Sequence, residues 1–244
     1  MTSGSASGAS PSAFPTPIVA LDVPTMRDAQ SLVDRVGPRA DFYKVGLQLF
    51  TREGPAVVEW LIAQSKRVFL DLKLHDIPNT VRGATQSAAA LGVDLVTVHA
   101  IGGEAMQRAA VEGAGGPGAR TGVLAVTVLT SFDDVGYAAA VGSTAETTHG
   151  AVLRFAGRAV ECGARGVVCA GAEAAAVRAA YGDALGTLVP GIRMPGGDAH
   201  DQSRVVTPAV ARGIGATWVI LGRAVTSAAD PARAYADIVA ELGG

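Results

Sequence analysis

Residues 42–74 read FYKVGLQLFTREGPAVVEWLIAQSKRVFLDLKL, and the fold is legible here first. Two short, mostly apolar runs, Phe42–Leu47 and Val68–Leu74, flank Thr51–Gln64, which carries helix formers at helical spacing. Strands that are apolar on both faces are those of parallel sheets covered by helices. Parallel neighbours need a crossover of about a dozen residues, and the segment between the two runs supplies one. The stretch is therefore a strand–helix–strand unit.

Working outward, the same alternation continues in both directions. Further strand-like runs are Ile18–Val23, Leu95–His99, Gly122–Leu129, Gly166–Ala170, Leu185–Pro190 and Trp218–Leu221. Helical segments between them are Arg27–Val36, Thr80–Leu91, Glu104–Gly113, Glu146–Cys162, Glu173–Ala180, Thr207–Gly213 and Pro231–Leu242. Thr25 and Asp230 stand where N-caps belong, and Pro231 stands at a first helical position. About eight such units predict an α/β fold, a (β/α)8 TIM barrel in a single domain over residues 15–244. The Gly/Ser/Ala-rich residues 1–14 read as a flexible tail. A doubly wound open sheet would place a Gly-rich turn after the first strand, and Asp22-Val23-Pro24-Thr25 holds none.

Composition narrows the partners. The chain has 20 Lys+Arg against 22 Asp+Glu, a formal charge of -2, so neither nucleic acid nor an anionic membrane surface is expected. Its apolar runs are too short and interrupted to cross a membrane. The opening MTSGSASGASPSA lacks the features of a secretory signal. Cys162 and Cys169 have no framework or metal-like spacing, which points to a reduced, cytoplasmic setting.

In a TIM barrel the chemistry sits at the C-terminal ends of the strands. Those ends carry Asp22, Lys44, the run Asp71–Asp76, His99, Thr130-Ser131, Gly191-Ile192-Arg193 and Gly222-Arg223. The chain keeps only three lysines, Lys44, Lys66 and Lys73. Lysine can deliver a proton near neutral pH where arginine cannot. Strand alternation puts Asp71 and Lys73 on one face. With Asp76 just beyond and Lys44 on the neighbouring strand, acids and ammonium groups would alternate and fix the Lys73 position. The plain alternative is a structural ion-pair network. Likewise the Gly191–Gln202 loop with Arg223 suits phosphate, or is a solvated loop with incidental arginines. His75 and His99 lack a metal-ligand partner at ligand spacing, and Cys169 reads as buried packing.

The stretch Asp71-Leu72-Lys73-Leu74-His75-Asp76-Ile77-Pro78-Asn79-Thr80 resembles the signature of the orotidine 5′-phosphate decarboxylase family. The resemblance extends to Ala20-Leu21-Asp22, Tyr43-Lys44-Val45-Gly46, Val128-Leu129-Thr130-Ser131, Pro190-Gly191-Ile192-Arg193, Asp201-Gln202-Ser203-Arg204 and Leu221-Gly222-Arg223-Ala224. It implies decarboxylation of orotidine 5′-phosphate (OMP) to UMP and CO2, the last step of UMP synthesis, with no cofactor and no metal. Lys73 would protonate C6 of the pyrimidine, Asp71 would face the substrate carboxylate, and Lys44 and Asp22 would hold the ribose. Asp76 and Thr80 would reach the second subunit's site in a homodimer, with Ile77, Pro78 and Asn79 beside them at the substrate. Thr130 and Ser131 would face the pyrimidine. Gln202 and Arg223 would bind phosphate, helped by Arg193 and the Gly222 backbone. Two rivals stand beside this: a Mg²⁺-dependent sugar-phosphate decarboxylase or aldolase of the same superfamily, and a catalytically silent nucleotide-binding barrel.

Overall fold

The computed structural model describes residues 14–194 and 206–244. Eight parallel strands close into one barrel in chain order: β1 (Thr16–Ala20), β2 (Phe42–Gly46), β3 (Arg67–Leu74), β4 (Leu95–His99), β5 (Gly122–Val126), β6 (Gly166–Val168), β7 (Gly186–Val189) and β8 (Trp218–Leu221). β8 pairs with β1, from Thr16 opposite Trp218 to Val19 opposite Leu221, and this seam completes the ring.

The outer layer comprises α1 (Met26–Val36), α2 (Leu47–Glu53), α3 (Ala56–Ala63), α4 (Pro78–Ala90), α5 (Gly103–Gly113), α6 (Asp134–Val141), α7 (Thr148–Glu161), α8 (Gly171–Tyr181), α9 (Pro208–Gly213), α10 (Arg223–Thr226) and α11 (Pro231–Leu242). The expected caps are in place. Thr25 accepts the N–H of Asp28, Asp230 accepts the N–H of Arg233, and Pro231 opens α11. The expected helix Thr51–Gln64 is instead two helices. Gly54 takes φ = +63° and Pro55 follows, so the chain turns between α2 and α3. The predicted first and fifth strands also end early, at Ala20 and Val126, which leaves Asp22 and Thr130 in the loops above them. α6 was not foreseen. After its opening Asp134, its sequence VGYAAAV is apolar or small all round and shows no stripe.

The strands bury both faces, but into two different cores. Outward-facing Val19, Val45, Leu70, Val96 and Val98 join Leu32, Leu61, Ala110 and Ile238 of the helices in the larger core. Inward-facing Ile18, Phe42, Phe69, Leu95, Leu124, Leu188, Trp218 and Ile220 fill the barrel. The Trp218 ring occupies the space that a side chain at Gly186 would need, and a side chain at Gly166 would meet the Gly186 carbonyl first and then the same ring. Two neighbouring strands thus give up side chains so that one large ring can close the lower interior. Among the described residues, no helix is long and apolar enough to cross a membrane.

Candidate active site

Above this apolar plug lies a cavity of about 240 Å³, lined by Asp22, Lys44, Asp71, Lys73 and Thr130 together with Phe69, Val126, Val128, Leu129, Val168, Leu188, Pro190 and Ile220. Alternation along each strand brings Lys44, Asp71 and Lys73 to this space, while Leu72 and Leu74 pack outward on the larger core.

The charged groups form a continuous chain. Asp22 Oδ1 accepts a hydrogen bond from Lys44 Nζ at 2.7 Å. Lys44 Nζ stands 3.8 Å from Asp71 Oδ2, and the same oxygen accepts from Lys73 Nζ at 2.8 Å. Lys44 and Asp71 are buried; Lys73 keeps part of its side chain open to the cavity, and Asp22 stands exposed at the rim. Burying a charge is costly unless a partner offsets the lost hydration, and here each has one. The ammonium groups therefore hold fixed positions with their remaining N–H bonds free to point at a ligand.

β3 is not regular where it carries this chain. Its pairing with β4 runs through Phe69–Leu95 and Leu70–Val96, then resumes at Leu74–Val98. Four steps along β3 thus match two along β4, and Lys73 sits in the resulting bulge at φ = +50°. Only Ser65 and Lys73, among the described non-glycine residues, have positive φ. Left-handed backbone costs an L-residue on the order of 1–2 kcal/mol and persists only where the surroundings hold it.

Asp76 does not join the chain of charges within its own barrel. It is exposed, and its Oδ1 accepts the N–H of Ile77 at 2.6 Å. Ile77, Pro78, Asn79 and Thr80 are exposed with it at the start of α4. Thr130 lines the cavity, whereas Ser131 is exposed beyond it. His75 and His99, at the ends of β3 and β4, stand ring to ring with centroids 5.7 Å apart. Cys169 is fully enclosed, and burial pushes its thiol up to about 12, which suits packing and not nucleophilic work.

On the β7–β8 side, Ile192 and Val206 form a parallel bridge, with Arg193 N–H donating to Val206 O at 3.0 Å. The Arg193 guanidinium is buried; its Nη1 donates to Ile192 O at 2.9 Å, and its Nε has no hydrogen-bond partner among the described residues. Burial, with the nearby Arg223, pulls this guanidinium below its ordinary range. Gly222 precedes α10, and Arg223 opens that helix from an exposed position. Two cations held close together with an unmet donor suit an anion. Gln202 lies outside the described residues.

Two sets of residues escaped the sequence reading. The apolar floor, Phe69, Val126, Val168, Leu188 and Ile220, belongs to the same inward-facing positions as the charged groups, so alternation could have found it. Thr97 was read only as a strand residue. Its signal was its place two positions before His99 on the strand next to Asp71.

Fold and site together define a TIM barrel with an acid–ammonium chain at its strand ends and an arginine pair beyond β7 and β8. The chain belongs to the orotidine 5′-phosphate decarboxylase / HUMPS family, which it matches over residues 15–238. It is 52% identical over 225 residues to the orotidine 5′-phosphate decarboxylase of Anaeromyxobacter dehalogenans, covering 91% of this chain and 96% of the relative. Identity to the enzyme of the same name from Halorhodospira halophila is 47% over 233 residues, covering 93% and 96%. The crystal structure of orotidine 5′-phosphate decarboxylase from Lactobacillus acidophilus superposes with a TM-score of 0.82 at 35% identity, covering 95% of this chain and all of that one.

Proposed function

We propose that this chain decarboxylates OMP to UMP and CO2 without a cofactor, as the last step of UMP synthesis. The observation that carries this reading is the Asp22–Lys44–Asp71–Lys73 chain of charges above an apolar floor.

The chemistry is demanding because the electron pair of the breaking C6–CO2 bond stays on a carbon with no adjacent sink. CO2 leaves, the pair remains on C6, and a proton from Lys73 Nζ then forms the C6–H bond. The lysine is left neutral and regains its proton from water. An ammonium held beside C6 stabilises the developing charge before the transfer and needs no reorganisation to do so. Asp71 holds that ammonium at 2.8 Å and faces the substrate carboxylate. Lys44 and Asp22 hold the ribose hydroxyls, Thr130 and Ser131 face the pyrimidine, and the apolar floor accepts the departing CO2. Arg223, Arg193, the Gly222 backbone and Gln202 take the phosphate. Binding energy from this remote group then helps place the reacting carbon.

The enzyme works as a homodimer with shared sites. The exposed position of Asp76, outside the chain of charges of its own barrel, supports this, as do the exposed Leu47, Ile77 and Ile101 at the ends of successive strands β2, β3 and β4. Asp76 and Thr80 reach into the partner's cavity, with Ile77, Pro78 and Asn79 along the same edge. A cytoplasmic location fits the two free, buried cysteines.

The test is purified protein with OMP, following loss of the orotate absorbance with and without EDTA. Turnover unchanged by EDTA is expected. No turnover would overturn the reading, and turnover abolished by EDTA would favour a metal-dependent relative. The shared site has its own test. Inactive Lys73→Ala and inactive Asp76→Ala proteins are mixed, with subunit exchange verified by native mass spectrometry. In each mixed dimer one site collects both changes and the other neither, so activity should recover to about a quarter of the wild-type sites. Exchange without recovery would place Asp76 in its own barrel.

A further inference from the structure

The side chain that holds the strained corner of β3 belongs to a neighbouring strand. Thr97, in the middle of β4, is fully buried at 0% exposure and is not among the residues lining the cavity. Its hydroxyl makes two hydrogen bonds, one in each sense. Oγ1 accepts the backbone N–H of Lys73 at 2.9 Å, and it donates to Asp71 Oδ1 at 2.9 Å.

Both bonds fall where regular pairing fails. The β3–β4 ladder breaks between Leu70 and Leu74, so the Lys73 N–H has lost its sheet partner and takes Thr97 instead. A buried N–H without a partner is costly, so this hydroxyl stabilises the bulge and with it the positive φ of Lys73. On its other side the hydroxyl orients the Asp71 carboxylate. With Oδ1 taken by Thr97, Oδ2 is left for Lys73 Nζ. One hydroxyl thus fixes the backbone of the proton donor and the carboxylate that holds its ammonium. Only a group that accepts and donates at once can do both, and among apolar-sized strand residues a β-hydroxyl does.

We infer that Thr97 is a positioning residue for the decarboxylation, acting through Lys73 and Asp71 without touching the substrate. The inference rests on the decarboxylase reading above. It predicts a loss in the chemical step and not in binding, because the ribose and phosphate contacts lie elsewhere.

The experiment compares Thr97→Val, which keeps the shape and removes the hydroxyl, with Thr97→Ser, which keeps the hydroxyl and removes the methyl. Thr97→Val should lower kcat for OMP by about 10–100-fold, as expected for a misplaced reacting group. KM and the Kd of UMP should stay within about threefold, because phosphate and ribose contacts are retained. Thr97→Ser should restore kcat to within about threefold of wild type, since both hydrogen bonds can re-form. Circular dichroism and thermal melting verify folding, and if Thr97→Val does not fold, Thr97→Cys replaces it as the poor hydrogen-bonding variant of similar size. Wild-type kcat in Thr97→Val would overturn the inference. So would an equal loss in Thr97→Ser, which would mean that the methyl packing matters, or a loss confined to KM and UMP affinity. Failure of the wild-type protein to turn over OMP would instead overturn the decarboxylase reading itself.

Discussion

On three adjacent strands the inner face of the barrel changes character within two residues. Phe42 gives way to Lys44, Phe69 to Asp71, and Leu95 to Thr97. Below the change, apolar side chains interdigitate around Trp218. Above it, charges are buried against one another and the backbone is held at a strained corner. The lower layer satisfies every requirement of a stable core at once: apolar, close-packed, regular in register. The upper layer breaks several of them, and the breaches together place or position the charged atoms of the cavity. Departures from local rules gather at functional sites because the rest of the fold can sustain them. Stability and chemistry are thus assigned to opposite halves of the same strands, and the two halves should separate under mutation.

The largest effect is expected in the upper layer. Lys73→Ala should cost about 10²–10⁴-fold in kcat through loss of a positioned acid, with lost charge stabilisation adding to that. Lys73→Arg keeps a cation but not a readily released proton and should be nearly as impaired. Neither change should lower the melting temperature much, because Lys73 is partly open to solvent. Activity near wild type in Lys73→Ala would remove the functional half of the comparison.

The lower layer should answer in the opposite way. Leu95 is 1% exposed and sits two residues before Thr97 on the same inner face. Leu95→Ala should destabilise the fold by about 2–5 kcal/mol, the range for emptying a buried leucine site. Urea unfolding measures this directly. The kcat of the molecules that remain folded should stay within about twofold of wild type if the two halves are independent. A tenfold fall in kcat, on the order of 1.4 kcal/mol, would show that packing below sets geometry above, and the comparison would fail.

Much of this division could be read from the chain, and the part that could not has physical causes. The period of two in Phe42–Lys44 and Phe69–Asp71–Lys73 exposes which side chains share a face, and the strand ends locate them at the top. The barrel followed from the alternating units. The bulge at Lys73 left no trace, because positive φ is signalled by glycine or asparagine and Asp71-Leu72-Lys73-Leu74 has neither. Without the bulge, Thr97 is only a β-branched residue in Leu95–His99, well suited to any strand. The α2–α3 break was written in Gly54-Pro55, but the apolar pattern runs straight across it. Sequence order sets Asp76 just past the strand end, and only the family resemblance sends it to a second subunit; within its own chain it lies at the surface, three residues beyond Lys73.

The smallest effect concerns the boundary between the site and solvent. His99 stands at the end of β4, two residues above Thr97 and opposite His75. Burial first, and then the positive neighbours His75 and Lys73, lower its proton affinity below the ordinary value of 6.5, with Asp71 opposing them. The sign of the consequence follows from linkage. Between its native pKa and 6.5 the unfolded chain binds a proton that the folded chain refuses, so the fold loses stability as pH falls below 6.5 and has its full stability above it. His99→Gln removes the titrating group while keeping a polar side chain of similar reach. Melting temperature followed from about pH 7.5 down to about 5.5 should therefore fall less steeply in the variant than in the wild type, since histidine titrates in this window. The two proteins should converge at the upper end, where His99 is neutral in both states. Parallel curves would show that protonating His99 is no harder in the folded protein than in the open chain. The rim would then be as solvated as the loops around it, and the protected interior of the site would begin only at Thr97.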